Sequence, residues 1–445
     1  MIGREKAKEI AQRALEHSQA DQTEVLLMGE DSGLTRFSNS YIHQNVAESN
    51  ADLHVRVVFG KKIGVATTND LSQGSIRRTV DEASRIARLQ PENPDFVSLP
   101  GPKPASEGKG YSPATAEATP EDRAEVALLV CRRALQAGAS AAGAFSTGTY
   151  ELAVHNSLGV EAYAATTVAD FSSVVTADDG SGYSAQVAVD WREIATESLA
   201  EEAVEGALRG RNATGLEPGE YEVVLSHYAV VDILDNLGYE GLGATPYQED
   251  RSFMSGKLGQ RLAGENVSLW DDGQDPTGLP LPFDYEGVPK QKVMFFNQGT
   301  AEGVAYDSYT AHKVGRQSTG HALPAPNPGG PLPLNMFMQA GDSSLDDLVR
   351  SLRHGLLVTR FWYTRTVHPI TMHFTGMTRD GTFLVENGQI VRPVRNLRFT
   401  QSYLEALRNV EAISKETKLL RDQLGGCRVP AIKVKSWNFT GVSEL

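Results

Sequence analysis

The stretch that most restricts the fold is Leu34 to Thr68, LTRFSNSYIHQNVAESNADLHVRVVFGKKIGVATT, because it alternates apolar and polar residues over much of its length. Side chains of an extended chain point to opposite faces with a period of two, so this spacing predicts strands rather than a helix. Polar turns such as Gly60-Lys61-Lys62 divide it into at least three strand candidates. The pattern reads as an antiparallel meander.

Helical patterns flank it. Lys6 to His17 places Ile10, Ala11, Ala14 and Leu15 on one side, and Thr23 to Met28 begins the series of strands. Ile76 to Leu89 reads as an amphipathic, Arg-rich helix that stops before Pro91 to Pro94, since proline cannot continue the hydrogen-bonded ladder. Prolines at 94, 100, 102, 104, 113 and 120, with several glycines and serines, mark a surface connection. A helix from Glu121 to Ala137 follows Thr119-Pro120, where threonine caps and proline takes the first helical position. Strands return in TGTYELAVHNSLGVEAYAATTVADFSSVVTADDGSGYSAQVAVD, and a helix from Ile194 to Arg209 closes the unit.

The order helix, strands, helix thus appears twice, and Asn-Ser precedes a turn in both strand regions, at Asn39-Ser40 and Asn156-Ser157. The expected fold class is α+β: an amino-terminal duplicated helix-plus-antiparallel-sheet region followed by a β-rich carboxy-terminal domain. The expected boundaries are 1–95 for a first α+β subdomain, 96–119 for the Pro/Gly-rich connection, 120–216 for a second α+β subdomain and 217–445 for the β-rich domain. In the last of these the short strand YEVVL precedes a helix, and Asn387-Gly388 between FLVE and QIVRPV signals a type I′ hairpin. Ser402 to Leu424 reads as a helix with a long apolar face.

Composition narrows the function. With 445 residues, 40% hydrophobic and 22% charged, the chain can bury a sizeable core. A formal net charge of −14 argues against tight binding to nucleic-acid phosphates, which needs clustered Lys and Arg. Only two cysteines are present, Cys131 and Cys427, far apart in the chain, so neither a disulfide framework nor a Cys-rich zinc module is available. The charged amino terminus lacks the apolar core of a signal peptide, and no segment approaches eighteen uninterrupted apolar residues. The expectation is a cytoplasmic protein that does not span a membrane.

The segment Ser226 to Gly243, SHYAVVDILDNLGYEGLG, raises the question of a metal. His227, Asp232, Asp235 and Glu240 have ligand chemistry, while Val230, Val231, Ile233, Leu234 and Leu237 recur as on a helix. Both readings, a metal-bearing helix and the polar face of a packed helix, are open at this point.

Four runs carry a family resemblance: RFSNSYIHQNVAESNADLHVRVVFGKKIGVATT, SFMSGKLGQ, YDSYTAHKVGRQSTGHALP and RDGTFLVENGQIVRPVRNLRFTQSYLEALRNVEAI. Across nearly all of residues 20 to 445 the chain resembles the TldD/PmbA family of gyrase modulators and metalloproteases, and within it the PmbA branch, also called TldE. The resemblance implies a heterodimer in which a TldD-like metallopeptidase subunit holds zinc and the TldE subunit supports it. The implied substrates are unstructured peptides, such as leader segments of ribosomally made peptide natural products, reached inside an enclosed chamber.

TldD-type sequences place a helical His-Glu-x-x-x-His ahead of a segment that corresponds here to Ser255-Gly256-Lys257. Counting back from it lands on DNLGYE, so Asp235 and Glu240 stand at the histidine positions and Asn236 at that of the glutamate. None of the ten histidines is followed by glutamate, and no two are three or four apart. A zinc hydrolase needs imidazole-like ligands, an open position for water and a carboxylate to take its proton. Asp235 and Glu240, five apart, would diverge by more than a quarter turn, and Asn236 cannot act as a base. The implied catalytic set in this chain is therefore none, with no metal here and zinc in the partner. The family's zinc-binding cysteine falls further upstream of Val429-Pro430 than Cys427 does, where Asp422 or a neighbour stands, so Cys427 reads as a small buried residue.

The remaining candidates concern contacts. Arg251, Ser252, Ser255, Lys257, Asp307, Ser308, Tyr309 and His321 are candidates for touching partner or substrate, with turn stabilisation the competing role; for His321 that role is a satisfied loop histidine. His368 and His373 are expected on opposite faces of one strand, and Asp271, Asp272 and Asp275 in a solvated turn rather than a calcium loop. GHALPAPNPGGPLPLN reads as the rigid lip of a peptide chamber, and Val293, Phe295 and Phe296 as apolar residues at the partner interface. The functional expectation is a non-catalytic subunit of a TldD/TldE-type zinc peptidase, forming a homodimer in isolation as a further possibility. The alternatives are a peptidase with an unorthodox metal site built from Asp235, Glu240 or His227, and a peptide-binding or gyrase-modulating adaptor.

Overall fold

The structure, a computed structural model, describes residues 1–104 and 108–443. Helix α1 (Arg4–His17) is followed by strands β1 (Gln22–Ser38), β2 (Tyr41–Phe59) and β3 (Lys62–Thr68) and by α2 (Gln73–Leu89). After the short α3 (Pro113–Ala116) the same order returns: α4 (Pro120–Gln136), β4 (Ser140–Asn156), β5 (Glu161–Ala177), β6 (Gly180–Ala188) and α5 (Thr196–Arg209). Asn39 and Ser40 supply the positive φ values, 51° and 60°, of a two-residue turn between β1 and β2. Thr119 caps α4 through a capping box with Asp122.

The two repeats form one antiparallel sheet in the order β3-β2-β1-β4-β5-β6, with β1 against β4 at its centre. All four long helices lie on one face. There Val25, Leu27, Val55 and Val57 meet α1 and α2, and Phe145, Phe171 and Val175 meet α4 and α5. The duplication extends to packing detail. A Cβ on Gly64 of β3 would sit 2.2 Å from the Ala83 carbonyl oxygen of α2, and one on Gly182 of β6 would sit 2.1 Å from that of Ala203 in α5. Only glycine lets helix and strand approach so closely.

The other face of the sheet, carrying Leu26, Leu152, Val154 and Ala164, turns toward Leu281, Phe283 and Tyr285 of the carboxy-terminal region. That region begins with β7 (Gly219–Leu225), α6 (His227–Gly241) and α7 (Ala244–Gln248). Short elements follow: β8 (Leu269–Asp271), β9 (Val293–Asn297), β10 (Thr300–Ala301), α8 (Ser308–Lys313), β11 (Asn335–Met338) and α9 (Leu345–Arg350). Long strands complete it: β12 (His354–His368), β13 (His373–Glu386), β14 (Gln389–Pro393), β15 (Leu397–Ser402), then α10 (Tyr403–Arg408), β16 (Val410–Arg421) and β17 (Gly426–Val442). Strands β17, β15, β13, β12 and β7 pair in succession, and β7 pairs back to β17, so these five close a ring that leaves no free edge among them. Asn387 and Gly388, φ 49° and 77°, make the expected hairpin between β13 and β14.

Four sequence expectations are corrected. Ser402 to Leu424 is not one helix: it is α10 followed by β16. Leu404, Leu407, Val410 and Ile413 carry a helical three-residue spacing, but Val410, Ile413 and Thr417 are β-branched and the backbone is satisfied by pairing with β17. His368 and His373 do not share a strand. Pro369 ends the extended run, and the two histidines face one another across the exposed end of the β12–β13 hairpin. Asp271 is not in a solvated turn but fully buried in β8, its Oδ1 accepting from His321 Nε2 at 2.9 Å and its Oδ2 from the Asn335 N–H at 2.6 Å. Val293, Phe295 and Phe296 are buried in the chain's own core and cannot face a partner. No helix among the described residues is long and apolar enough to cross a membrane.

Candidate functional site at the central helix

Helix α6 is apolar nearly all round, as a helix buried within a domain must be, and it packs against β12, β16 and β17. Its polar side chains are therefore obliged to find partners inside the protein. At its start Ser226 donates to the Thr359 carbonyl at 2.5 Å. His227 Nε2 donates to the Glu416 carbonyl at 3.1 Å, and burial pushes its pKa down to about 4, leaving a neutral ring.

Asp232 and Asp235 point into the domain. Tyr403 donates its phenol to Asp232 Oδ1 at 2.6 Å, and burial, with the charges of Asp422 and Asp235 adding to it, pushes the Asp232 carboxyl up to about 7. Asp235 Oδ2 accepts from the Gln423 N–H at 2.7 Å, and its Oδ1 from the Cys427 thiol at 3.4 Å. Its carboxyl is pushed up to about 6, again mainly by burial. Asn236 turns back on its own helix, its Nδ2 donating to the Asp232 carbonyl at 2.8 Å. Glu240 lies on another side of the helix, beside the Thr366 hydroxyl near the surface. Asp235, Asn236 and Glu240 thus diverge as their spacing requires.

Above Asp232 opens a cavity of about 240 Å³ between the last strand of the amino-terminal sheet and the closed ring, lined by Tyr183, Tyr228, Arg360, Trp362 and Asp422. Arg360 stacks 4.0 Å over the Tyr183 ring and pairs with Asp380 through Nε at 2.6 Å. The cavity thus places the carboxyls of Asp232 and Asp422 among aromatic rings and a guanidinium.

These residues do not fit a catalytic zinc. Both aspartates are already engaged by protein donors, His227 points its N–H at a carbonyl, and no group of three His, Cys, Asp or Glu among the described residues is arranged to hold a metal ion. Cys427 is buried, and its thiol is pushed well above the usual range by that burial, with Asp235 adding to it. A thiol held there donates to Asp235 and packs as a small apolar residue.

The contact candidates divide. Ser252 is buried and ties the following turn to α6, donating to the Gly241 carbonyl at 2.7 Å; Ser255 donates to the Tyr247 carbonyl at 3.0 Å and Lys257 to that of Phe253 at 3.2 Å. Arg251 is exposed and paired with Glu249. Asp307 caps α8, the buried Ser308 donates its N–H to Glu286 at 3.1 Å, and Tyr309 reaches Asn93 at 3.5 Å. His321 is fully buried on Asp271, so it is a satisfied loop histidine and not a contact residue. Of the candidates, the structure brings to the α6 site only the turn that Ser252 anchors. Tyr183, Tyr228, Tyr403 and Arg360 were not signalled by the sequence, because their proximity arises from strands and helices far apart in the chain.

Comparison with known proteins agrees with this architecture. The PmbA/TldA metallopeptidase C-terminal domain matches residues 218–441, domain 1 of that group matches 23–87, and its central domain matches 113–211. The chain belongs to the PmbA/TldD family. Metalloprotease PmbA of Escherichia coli O157:H7 is 24% identical over 418 residues, covering 89% of this chain and 89% of that one. A metalloprotease TldD homolog of Haemophilus influenzae is 24% identical over 393 residues, covering 82% and 79%. The crystal structure of TldE from Thermococcus kodakarensis superposes with a TM-score of 0.89 at 20% identity, over 98% of this chain and 99% of that one. That last likeness is one of fold. This PmbA/TldD chain has the metallopeptidase scaffold with an α6 helix whose acids are turned to internal hydrogen bonds.

Proposed function

We propose that the chain is the non-catalytic, TldE-like subunit of a cytoplasmic zinc metallopeptidase complex. A TldD-like partner holds the zinc, and the substrates are unstructured peptides such as leader peptides. The observation that carries this reading is the state of Asp235, Asn236 and Glu240. One is buried on a main-chain N–H and a thiol, one is folded back on its helix, and one is directed elsewhere, so no water could be both polarised and deprotonated among them. In this reading the subunit contributes wall and binding surface to a chamber whose chemistry belongs to its partner.

The test is cleavage of a flexible leader-like peptide, followed by mass spectrometry, with each subunit alone and both together. Cleavage only in the mixture is expected, and replacing the partner's motif glutamate should lower the rate by several orders of magnitude. Asp235→Ala or Glu240→Ala in this chain should leave turnover within a few-fold. Chelator-sensitive cleavage by this chain alone would instead establish an unorthodox metallopeptidase, and no cleavage in any combination would favour an adaptor.

A further inference from the structure

Strand β2 is longer than the strand that covers it. β3 pairs only with residues 53–59, so the outer side of β2 over residues 41–52 has no strand neighbour, while its inner side pairs with β1. An extended chain of that span measures roughly 40 Å, and every second residue turns its N–H and C=O away from the paired side. Among the described residues no main-chain group of this segment has a partner outside the pairings with β1 and β3. All of its residues are exposed or half-buried. Lysine, proline and a short length, which commonly guard an edge, are missing here.

The two faces of this edge differ in charge. Val55 and Val57 face the helices, so by alternation Asn45, Ala47, Ser49 and Ala51 share that side, and Glu48, Asn50 and Asp52 lie on the other. Glu30 of β1 stands directly behind Asn50. Among the described residues Glu30, Glu48 and Asp52 have neither a hydrogen bond nor an ion pair. Asp31, on the helix side, is by contrast met by the amino terminus and by Ser49. Arg36, further along the acidic face of β1, bonds Gln44 at 3.4 Å. Glu30 and Asp52 also border a cavity of about 380 Å³ between the sheet and the carboxy-terminal region. The open edge therefore carries a row of carboxylates on one face, with no cation held against them.

We propose that the β2 edge binds an extended basic peptide segment, added as a strand beside residues 41–52 with Lys or Arg at alternate positions over Glu48, Glu30 and Asp52. The main chain of an open edge recognises any extended backbone, and the carboxylates select the side chains of one face. Alternate residues of an added strand are about 7 Å apart, the spacing of Glu48, Asn50 and Asp52, and a long side chain opposite Asn50 reaches toward Glu30 one strand further in. A second copy of the chain is a poorer occupant. Two β2 edges related by a twofold axis normal to the sheet put both rows of carboxylates on the same face, where like charges oppose one another. The inference deepens the peptide role proposed above by naming a substrate class. It is tested on this chain without any partner, so a failed heterodimer would leave it standing and failed binding would leave the heterodimer standing.

The experiment is fluorescence anisotropy with the full chain and labelled, unstructured peptides of about ten residues: one with Lys at every second position among Ser and Thr, its Gln counterpart, and two forms of the lysine peptide N-methylated at the odd or at the even backbone nitrogens. The lysine peptide should bind about tenfold more tightly than the glutamine one, the size of a few opposite-charge cross-strand contacts. Only every second N–H of an added strand faces the edge, so one methylated form should lose more than about tenfold and the other should stay within a few-fold of the parent. Glu30→Gln, Glu48→Gln and Asp52→Asn together should remove the preference for lysine and leave the glutamine peptide unchanged. Equal affinity for the lysine and glutamine peptides, equal effects of the two methylations, or a preference that survives the triple substitution would overturn the proposal. So would a concentration-dependent dimer that the lysine peptide does not dissociate, which would show the edge covered by a second copy. If the triple variant does not fold, the peptide comparisons on the unaltered chain still decide.

Discussion

Replacing Asp232 by asparagine tests the central helix most directly. The side chain keeps its size, and the amide oxygen can still accept the Tyr403 hydroxyl, which lies 2.6 Å from Oδ1 in the native site. What is removed is a titration. The native carboxyl sits at about 7 against an ordinary value of 3.8, raised chiefly by burial. A carboxyl whose folded pKa is raised holds its proton better in the folded chain, so its contribution to stability is fully present below the unfolded pKa and is lost as pH rises through the folded one. With these two values, integration between pH 5 and pH 8 gives a loss of about 3 kcal/mol. Urea unfolding of native protein and Asp232→Asn at pH 5 and at pH 8 should therefore show the native chain losing about 3 kcal/mol more than the variant over that interval. Titrating groups remote from Asp232 contribute to both proteins and cancel in the difference. Parallel pH profiles would refute the argument, since they would mean that Asp232 is ionised in the folded state or reaches solvent.

Two further perturbations examine the scaffold. Gly64→Ala and Gly182→Ala would each drive a methyl group to within 2.2 Å or 2.1 Å of a helix carbonyl oxygen, and each should destabilise by about 1–3 kcal/mol in thermal unfolding, with similar values for the two because the packing is repeated. Asp271→Ala leaves His321 Nε2 and the Asn335 N–H without their acceptor in a fully buried position, and a loss of about 3–5 kcal/mol is expected in urea unfolding; a change under about 1 kcal/mol would mean that water reaches the pair.

Local signals in the sequence carried most of the fold, and distance along the chain explains most of what they missed. The meander from Leu34, the Thr119-Pro120 cap and the Asn387-Gly388 turn each depend on residues a few positions apart, and each appears where its pattern places it. Ser402 to Leu424 is an exception: its apolar spacing fits a helix, but Val410 to Arg421 is captured by β17, the strand that follows it directly in a hairpin. The site follows the same division. The divergence of Asp235 and Glu240 follows from helical geometry, whereas the partners of Asp232 and Asp235, Tyr403 and Cys427, stand 171 and 192 residues away. No local pattern pairs them.

Those distant partners bear on metal binding in a way that can be measured. For Asp232 and Asp235 to ligate a cation, each would have to give up a donor within the protein: the Tyr403 hydroxyl for one, the Gln423 N–H and Cys427 thiol for the other. Asp232 would also have to lose the proton that burial helps it hold, its carboxyl being pushed up to about 7. A buried tyrosine hydroxyl and a main-chain N–H left without acceptors cost about 1–3 kcal/mol each, before any rearrangement to gather three ligands. A ligand that binds the folded chain raises its stability by about 2.7 kcal/mol at a hundred times its dissociation constant, a shift of several degrees that thermal unfolding detects easily. Thermal unfolding of this chain alone with micromolar zinc, and again with chelator, should therefore give the same midpoint. The Asp232→Asn variant should also be indifferent to both. A zinc-dependent rise that Asp232→Asn or Asp235→Ala abolishes would show that the carboxylates leave their internal donors for the metal, and the proposed non-catalytic role would fall with it.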